Sequence, residues 1–250
     1  MKTLKINVAI IAFLVFCFGI PEVLSKNVFV SSNGQDKGGC GNWSSPCHSV
    51  RYAVKISSAN DVIYIDYASG RPYRECKHPK NIDGTIMLDK SLSFYGFKGT
   101  PQLYCEQTYS FFGINISELT IPKIIFSNLS LVGRGGVLNG VSNISSKIEV
   151  EFNFCNVKRS LYVVKASSVS CSIQVLSSII QSDFDPISAN CNYLRVRLTG
   201  STFFSCPIKL SADTEKNISK QETNICIYKC TFNTMKKPSN CTSFITIIAG

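Results

Sequence analysis

A short pattern recurs along the second half of the chain, at an interval too long for hairpins and too short for separate domains. It appears in "FSNLSLVG" from Phe126, "FNFCNVKR" from Phe152, "VLSSIIQS" from Val175, "LTGSTFFS" from Leu198 and "IYKCTFNT" from Ile227. One column of the alignment holds Cys155, Ser178, Ser201 and Cys230. Two residues on, a second holds Leu131, Val157, Ile180, Phe203 and Phe232, at steps of 26, 23, 23 and 29 residues. Repeats of this length, carrying short strands and no helix, predict an all-β parallel β-helix, a solenoid in which one coil stacks on the next. A single coil cannot bury its inward side chains. Stacking at strand spacing sets like residue above like and forms internal columns. A β-sandwich would instead show tight hairpin turns every 8–12 residues. No clean two-residue hairpin signal is present.

The first 25 residues bear on compartment. Lys2 and Lys5 precede an uncharged apolar run from Val8 to Ile20; Pro21 and the small residues of Val23-Leu24-Ser25 follow. This is the order of a secretory signal peptide, with an apolar core too short to span a bilayer. The expected organisation is a signal over 1–25, an opening strand, disulfide loop and capping helix over 26–60, and β-helix coils over 61–250. The localisation expected is secreted, with no stable membrane span in the mature chain.

Cysteine usage agrees with export. Of 12 cysteines, Cys17 lies in the signal; the other 11 are Cys40, Cys47, Cys76, Cys105, Cys155, Cys171, Cys191, Cys206, Cys226, Cys230 and Cys241. In an oxidising compartment most should pair, and the odd number leaves at least one free or intermolecular thiol. Cys40 with Cys47 is the expected pair, closing a short Gly-rich loop. Sequons beginning at Asn42, Asn115, Asn128, Asn143, Asn217 and Asn240 are candidates for N-glycosylation.

Without Lys2, Lys5 and Glu22 the chain keeps 24 basic and 15 acidic residues, a net charge of about +9. That balance favours acidic partners such as anionic polysaccharide or cell-surface glycans, although no long basic block concentrates it. No basic-aromatic motif points to nucleic acid.

The opening segment reads strand, loop, helix, strand. Lys26 to Ser32 alternates around Val28 and Val30, and Asn33 to Ser45 is a Gly/Asn/Ser loop. Val50, Ala53 and Val54 then fall at helical spacing within Cys47 to Ser58, with Ser45 or Ser49 as N-cap. Strand-like runs follow at Val62 to Ile65 and Leu92 to Phe97. "VFVSSNGQD" followed by "SSPCHSVRYAVKISSANDVIYIDYASGRPY" resembles the N-terminal segment of secreted right-handed parallel β-helix proteins of the pectin-lyase-like superfamily. The match includes Val28 to Asp36, Pro46, Val50 to Ala59 and Val62 to Tyr73, and departs at Asn60-Asp61, where Gly-Asp is common. The resemblance implies that the helix caps the apolar end of the coil. A fold of this kind does not by itself imply an activity.

The resemblance also directs attention to polysaccharide chemistry. Galacturonan hydrolases of that superfamily use clustered Asp with Gly-His-Gly and Arg-Ile-Lys elements, and neither tripeptide occurs here. Its lyases use carboxylate-bound calcium with a basic residue. Asp183 and Asp185 are the nearest candidates, yet Asp185-Pro186 reads as a turn. Glu149 and Glu151 read as outward strand positions. Cys47-His48 and Cys76-Lys77-His78 match no zinc spacing. "GRGGVLNG" from Gly133 lacks a phosphate-loop ending and reads as a wide turn. Trp43 and other aromatics offer a sugar-binding face or core stacking. No catalytic residue, cofactor or metal site is expected. The reading is a non-catalytic extracellular domain with a binding, adhesion or structural role, with carbohydrate as its candidate ligand. Its alternatives are a polysaccharide lyase or glycoside hydrolase, and the N-terminal part of a larger cell-surface adhesin, since "FITIIAG" carries no visible cap.

Overall fold

A computed structural model describes residues 25–67, 71–75, 84–105, 110–114, 122–141, 147–160, 163–182, 186–204, 208–212, 223–233 and 245–249. It is a parallel β-solenoid in which every strand pairing is parallel. Strands are numbered along the chain. One face is built from β1 (Asn27–Val30), β2 (Asp61–Asp66), β5 (Leu92–Phe97), β8 (Lys123–Ser127) and β11 (Lys147–Asn153). The second halves of β13 (Val164–Leu176) and β15 (Ile187–Thr199) continue it, followed by β18 (Thr223–Tyr228).

The second face stacks β3 (Tyr73–Arg74), β6 (Gln102–Cys105), β9 (Ser130–Gly133), β12 (Asn156–Ser160), β14 (Ile179–Ser182), β16 (Thr202–Phe204) and β19 (Thr231–Asn233). A third carries β4 (Ile86–Leu88), β7 (Phe112–Ile114), β10 (Leu138–Val141), the first halves of β13 and β15, β17 (Ile208–Ala212) and β20 (Ile245–Ala249). Thus β13 and β15 each round a corner without a break, pairing with the third face at one end and the first at the other.

The repeat columns are physical stacks. Leu131, Val157, Ile180, Phe203 and Phe232 are register partners in turn, extended backward by Leu103 and Tyr73. Opposite them Phe94, Phe126 and Phe152 lie in register, with ring centroids 5.3 and 5.1 Å apart. Full burial of each ring removes a large apolar area from water, on the order of 1.5–3 kcal/mol per side chain. Parallel stacking aligns them at coil spacing, so offset ring stacking adds to that burial.

Between the first and second faces, most coils turn through two residues, the first in left-handed conformation: Asn128 (φ 54°), Phe154 (φ 55°), Ser177 (φ 46°), Gly200 (φ 58°) and Lys229 (φ 52°). The second residue faces inward, and its own amide lies outside the strand ladders. Cys155, Ser178, Ser201 and Cys230 hold these places. Ser178 Oγ accepts from the Cys155 amide at 3.0 Å, and Ser201 Oγ from the Ser178 amide at 3.1 Å. The same hydroxyls donate to the carbonyls of Leu176 and Thr199. A small side chain that both donates and accepts satisfies the buried corner.

The helix forms, shorter than the Cys47 to Ser58 segment expected, as α1 (Val50–Ile56). Ser49 is its N-cap, accepting from the Tyr52 amide. Val50, Ala53 and Val54 are buried against the coil end. Two carboxylates far apart in sequence serve its N-terminal end. Asp36 accepts from the amides of His48 and Ser49, and Glu75 from those of Val50 and Arg51. Arg51 donates to the carbonyls of Gly84 and Thr85, fastening the cap to a later coil. Burial holds the Glu75 carboxyl above the ordinary carboxylate value, against the opposing pull of those two amides and the Arg51 charge.

Disulfides join Cys40 to Cys47 and Cys171 to Cys191, and Cys105 is disulfide-bonded as well. Among the described residues Cys155, Cys226 and Cys230 are free thiols.

Candidate functional site

Strand alternation sends every second side chain of the first face outward. On β11 these are Lys147, Glu149 and Glu151; on β13 Ser170, Ser172 and Gln174; on β15 Tyr193, Arg195 and Arg197; on β18 Asn224 and Cys226. Register sorts them into rows across the coils. One row runs Lys123, Glu149, Ser172, Arg195, Asn224; the next runs Ile125, Glu151, Gln174, Arg197, Cys226. Serines on β13 are short between longer neighbours on both sides. The result is a cleft of about 400 Å³ whose lining includes Lys147, Glu149, Gln174, Tyr193, Arg195 and Asn224.

The charges are not evenly matched. Lys147 pairs with Glu149, and Lys123 Nζ lies 3.8 Å from Glu151. Glu151 also accepts from Asn153 Nδ2 at 2.8 Å. Arg195 and Arg197 are exposed and, among the described residues, form no ion pair with a carboxylate. Glu149 and Arg195 stand two coils apart, about 9–10 Å along the stack with Ser172 between them, and form no ion pair. Two guanidinium groups, carried at i and i+2 on backbone positions roughly 6–7 Å apart along the strand, remain open to solvent. Each can bind one carboxylate through two parallel N–H donors.

A second aromatic cluster lies on the outer side of the first coils. Phe29, Tyr64 and Tyr95 are register partners, with centroids 5.4 and 5.9 Å apart. Trp43, from the disulfide loop, meets Phe29 and Phe97 edge to face. Lys98 Nζ sits 4.6 Å from the Trp43 ring centroid. Trp43 is 56% exposed, but its contacts are used to clamp the Cys40–Cys47 loop to the sheet.

The structure disperses the remaining candidates. Glu149 and Glu151 project outward side by side, each held by a lysine. Cys47 is in its disulfide, and the exposed His48 is held by its amide rather than its ring. The segment from Gly133 turns from β9 into β10. Asn42 is exposed, whereas Asn128 occupies a corner. Asp183, Asp185, Cys76, His78, Asn115, Asn143, Asn217 and Asn240 lie outside the described residues. Among the described residues no three His, Cys, Asp or Glu side chains converge on a cation position, and no helix is long and apolar enough to cross a membrane. Sequence reasoning missed the Arg195/Arg197 pair. Its only signal was alternation in "LRVRLT".

Fold and face together define a parallel β-solenoid with a polar lateral cleft. No family model and no curated protein matches the chain. A solved structure described as "Rhamnogalacturonan lyase" superposes with a TM-score of 0.42 and 10% identity, over 90% of this chain and 67% of that one.

Proposed function

We propose that this chain is an extracellular binding domain that captures anionic polysaccharide on the outer face of β11, β13, β15 and β18. The observation that carries the reading is the Arg195/Arg197 pair, open beside carboxylates already matched by Lys123 and Lys147. A polyuronate presents carboxylates at regular intervals along an extended chain. Paired guanidiniums would take two of them, with Tyr193, Gln174 and Asn224 supplying ring contact and hydrogen bonds. The net positive charge of the chain draws such a polymer toward the surface from a distance. Disulfide bonding is compatible with an extracellular setting.

Retention on immobilised polygalacturonate, compared with an uncharged glucan, tests the reading. The protein should be retarded by the acidic polymer and elute with salt, with no shortening of the polymer on prolonged incubation. Equal retention on both polymers would overturn it. Shortening of the acidic polymer would replace binding with the lyase or hydrolase alternative.

A further inference from the structure

The two sequons within the described residues stand in opposite situations. Asn42 is exposed on a tight turn closed by Gly41 N–H to Ser45 O at 2.9 Å and Ser45 N–H to Asn42 O at 3.1 Å. Asn128 forms a corner, and its carboxamide is fully used. Nδ2 donates to Gly96 O at 3.1 Å and to Gly99 O at 2.7 Å, while Oδ1 accepts from Thr100 Oγ1 at 3.1 Å. Gly96 is fitted against this corner, since a Cβ there would lie 1.9 Å from the Asn128 carbonyl oxygen. The backbone carbonyl of Asn153, at the end of β11, accepts the Asn128 amide at 2.9 Å.

We infer that Asn42 is an open N-glycan acceptor and that Asn128, despite its sequon, is closed to glycosylation in the folded protein. The inference rests on the chain entering the secretory pathway. The donor is a polyprenyl-pyrophosphate-linked oligosaccharide. Asn Nδ2 attacks its anomeric carbon, a C–N bond forms, the sugar–phosphate C–O bond breaks, the pyrophosphate leaves with the electron pair, and one Nδ2 proton passes to a base. The product amide keeps a single N–H. At Asn42 the loss costs no hydrogen bond of the fold. At Asn128 one of two carbonyl partners is lost, and the sugar must take the space of that carbonyl. A chain modified there before folding cannot close the clamp that ties the turn Lys98 to Pro101 to the next coil. Folded, exported molecules are therefore bare at Asn128.

Site mapping by mass spectrometry on the full chain exported from a glycosylating eukaryotic cell decides the matter. One arm uses the chain's own N-terminus and a second adds a heterologous leader. Asn42 should carry glycan and Asn128 none. Ser130→Ala, which removes the second sequon without touching the carboxamide, should leave mass and yield unchanged. Asn128→Asp, which removes both donors, should cut the yield severalfold without changing the glycan mass. Glycan on Asn128 of folded protein, or a bare Asn42 beside other occupied sequons, would overturn the inference. If glycans appear only behind the heterologous leader, the reading of the native N-terminus fails while the contrast between the two sites stands.

Discussion

The amide of Cys155 donates to the hydroxyl of Ser178 at 3.0 Å, joining two coils across 23 residues of chain. Ser178→Ala would leave that amide without its acceptor in a buried corner, at a cost of about 1–3 kcal/mol. Ser178→Cys should cost less, because the column already accommodates sulfur at Cys155. Urea unfolding of the two variants checks the order.

Phe154 adopts φ 55° and is 65% exposed, so a bulky side chain holds a strained corner with little burial to offset it. Phe154→Gly should raise stability by about 1 kcal/mol, despite removing an aromatic. A loss of stability would show that the ring packs in a way its exposure denies.

Burial pushes the Cys155 thiol up to about 12 from 9.0. The native state therefore keeps this proton where the unfolded chain releases it. Stability from this group is full below about pH 9 and declines toward pH 12, at up to about 1.4 kcal/mol per pH unit. Cys155→Ser should flatten the difference measured between pH 8.5 and 10.5. Native alkylation at pH 8 should label Cys226 and spare Cys155.

Glu75 binds its proton more tightly in the fold than in the unfolded chain. The sign is the reverse of a surface-paired carboxylate: its contribution is best near and below the unfolded value and worsens as pH rises through the native one. Compared with Glu75→Gln, the wild type should lose relative stability from about pH 4.5 upward. The variant's lost acceptor for the Arg51 amide adds only a pH-independent offset. Thermal unfolding of both proteins across pH 4–8 reads the difference.

The coil was legible because its corners are stereochemically narrow. A two-residue turn with a left-handed first position leaves the second facing inward, so Cys155, Ser178 and Ser201 recur in phase with Leu131, Val157, Ile180 and Phe203. The helix was legible for a local reason, the spacing of Val50, Ala53 and Val54. The cap's fastening was not, since Glu75 reaches Val50 across 25 residues through a hydrogen bond that leaves no periodic trace. The lateral face was hidden for a related reason. Outward positions are free to vary, and only register shows that Arg195 lies two coils from Glu149 rather than against it. The Asn128 sequon shows the converse, a legible motif whose atoms the fold uses for something else.

The central claim is that Arg195 and Arg197 hold carboxylates of an anionic polysaccharide. Calorimetric titration with an oligogalacturonide, at two salt concentrations, tests it on the wild type, Arg195→Ala/Arg197→Ala and a Lys229→Ala control. The account predicts binding that weakens with salt, falls at least about tenfold in the double variant, as expected for charge-assisted bonds each contributing about 1.5–3 kcal/mol, and is little changed in the control. Affinity unchanged in the double variant, or insensitive to salt, would contradict it.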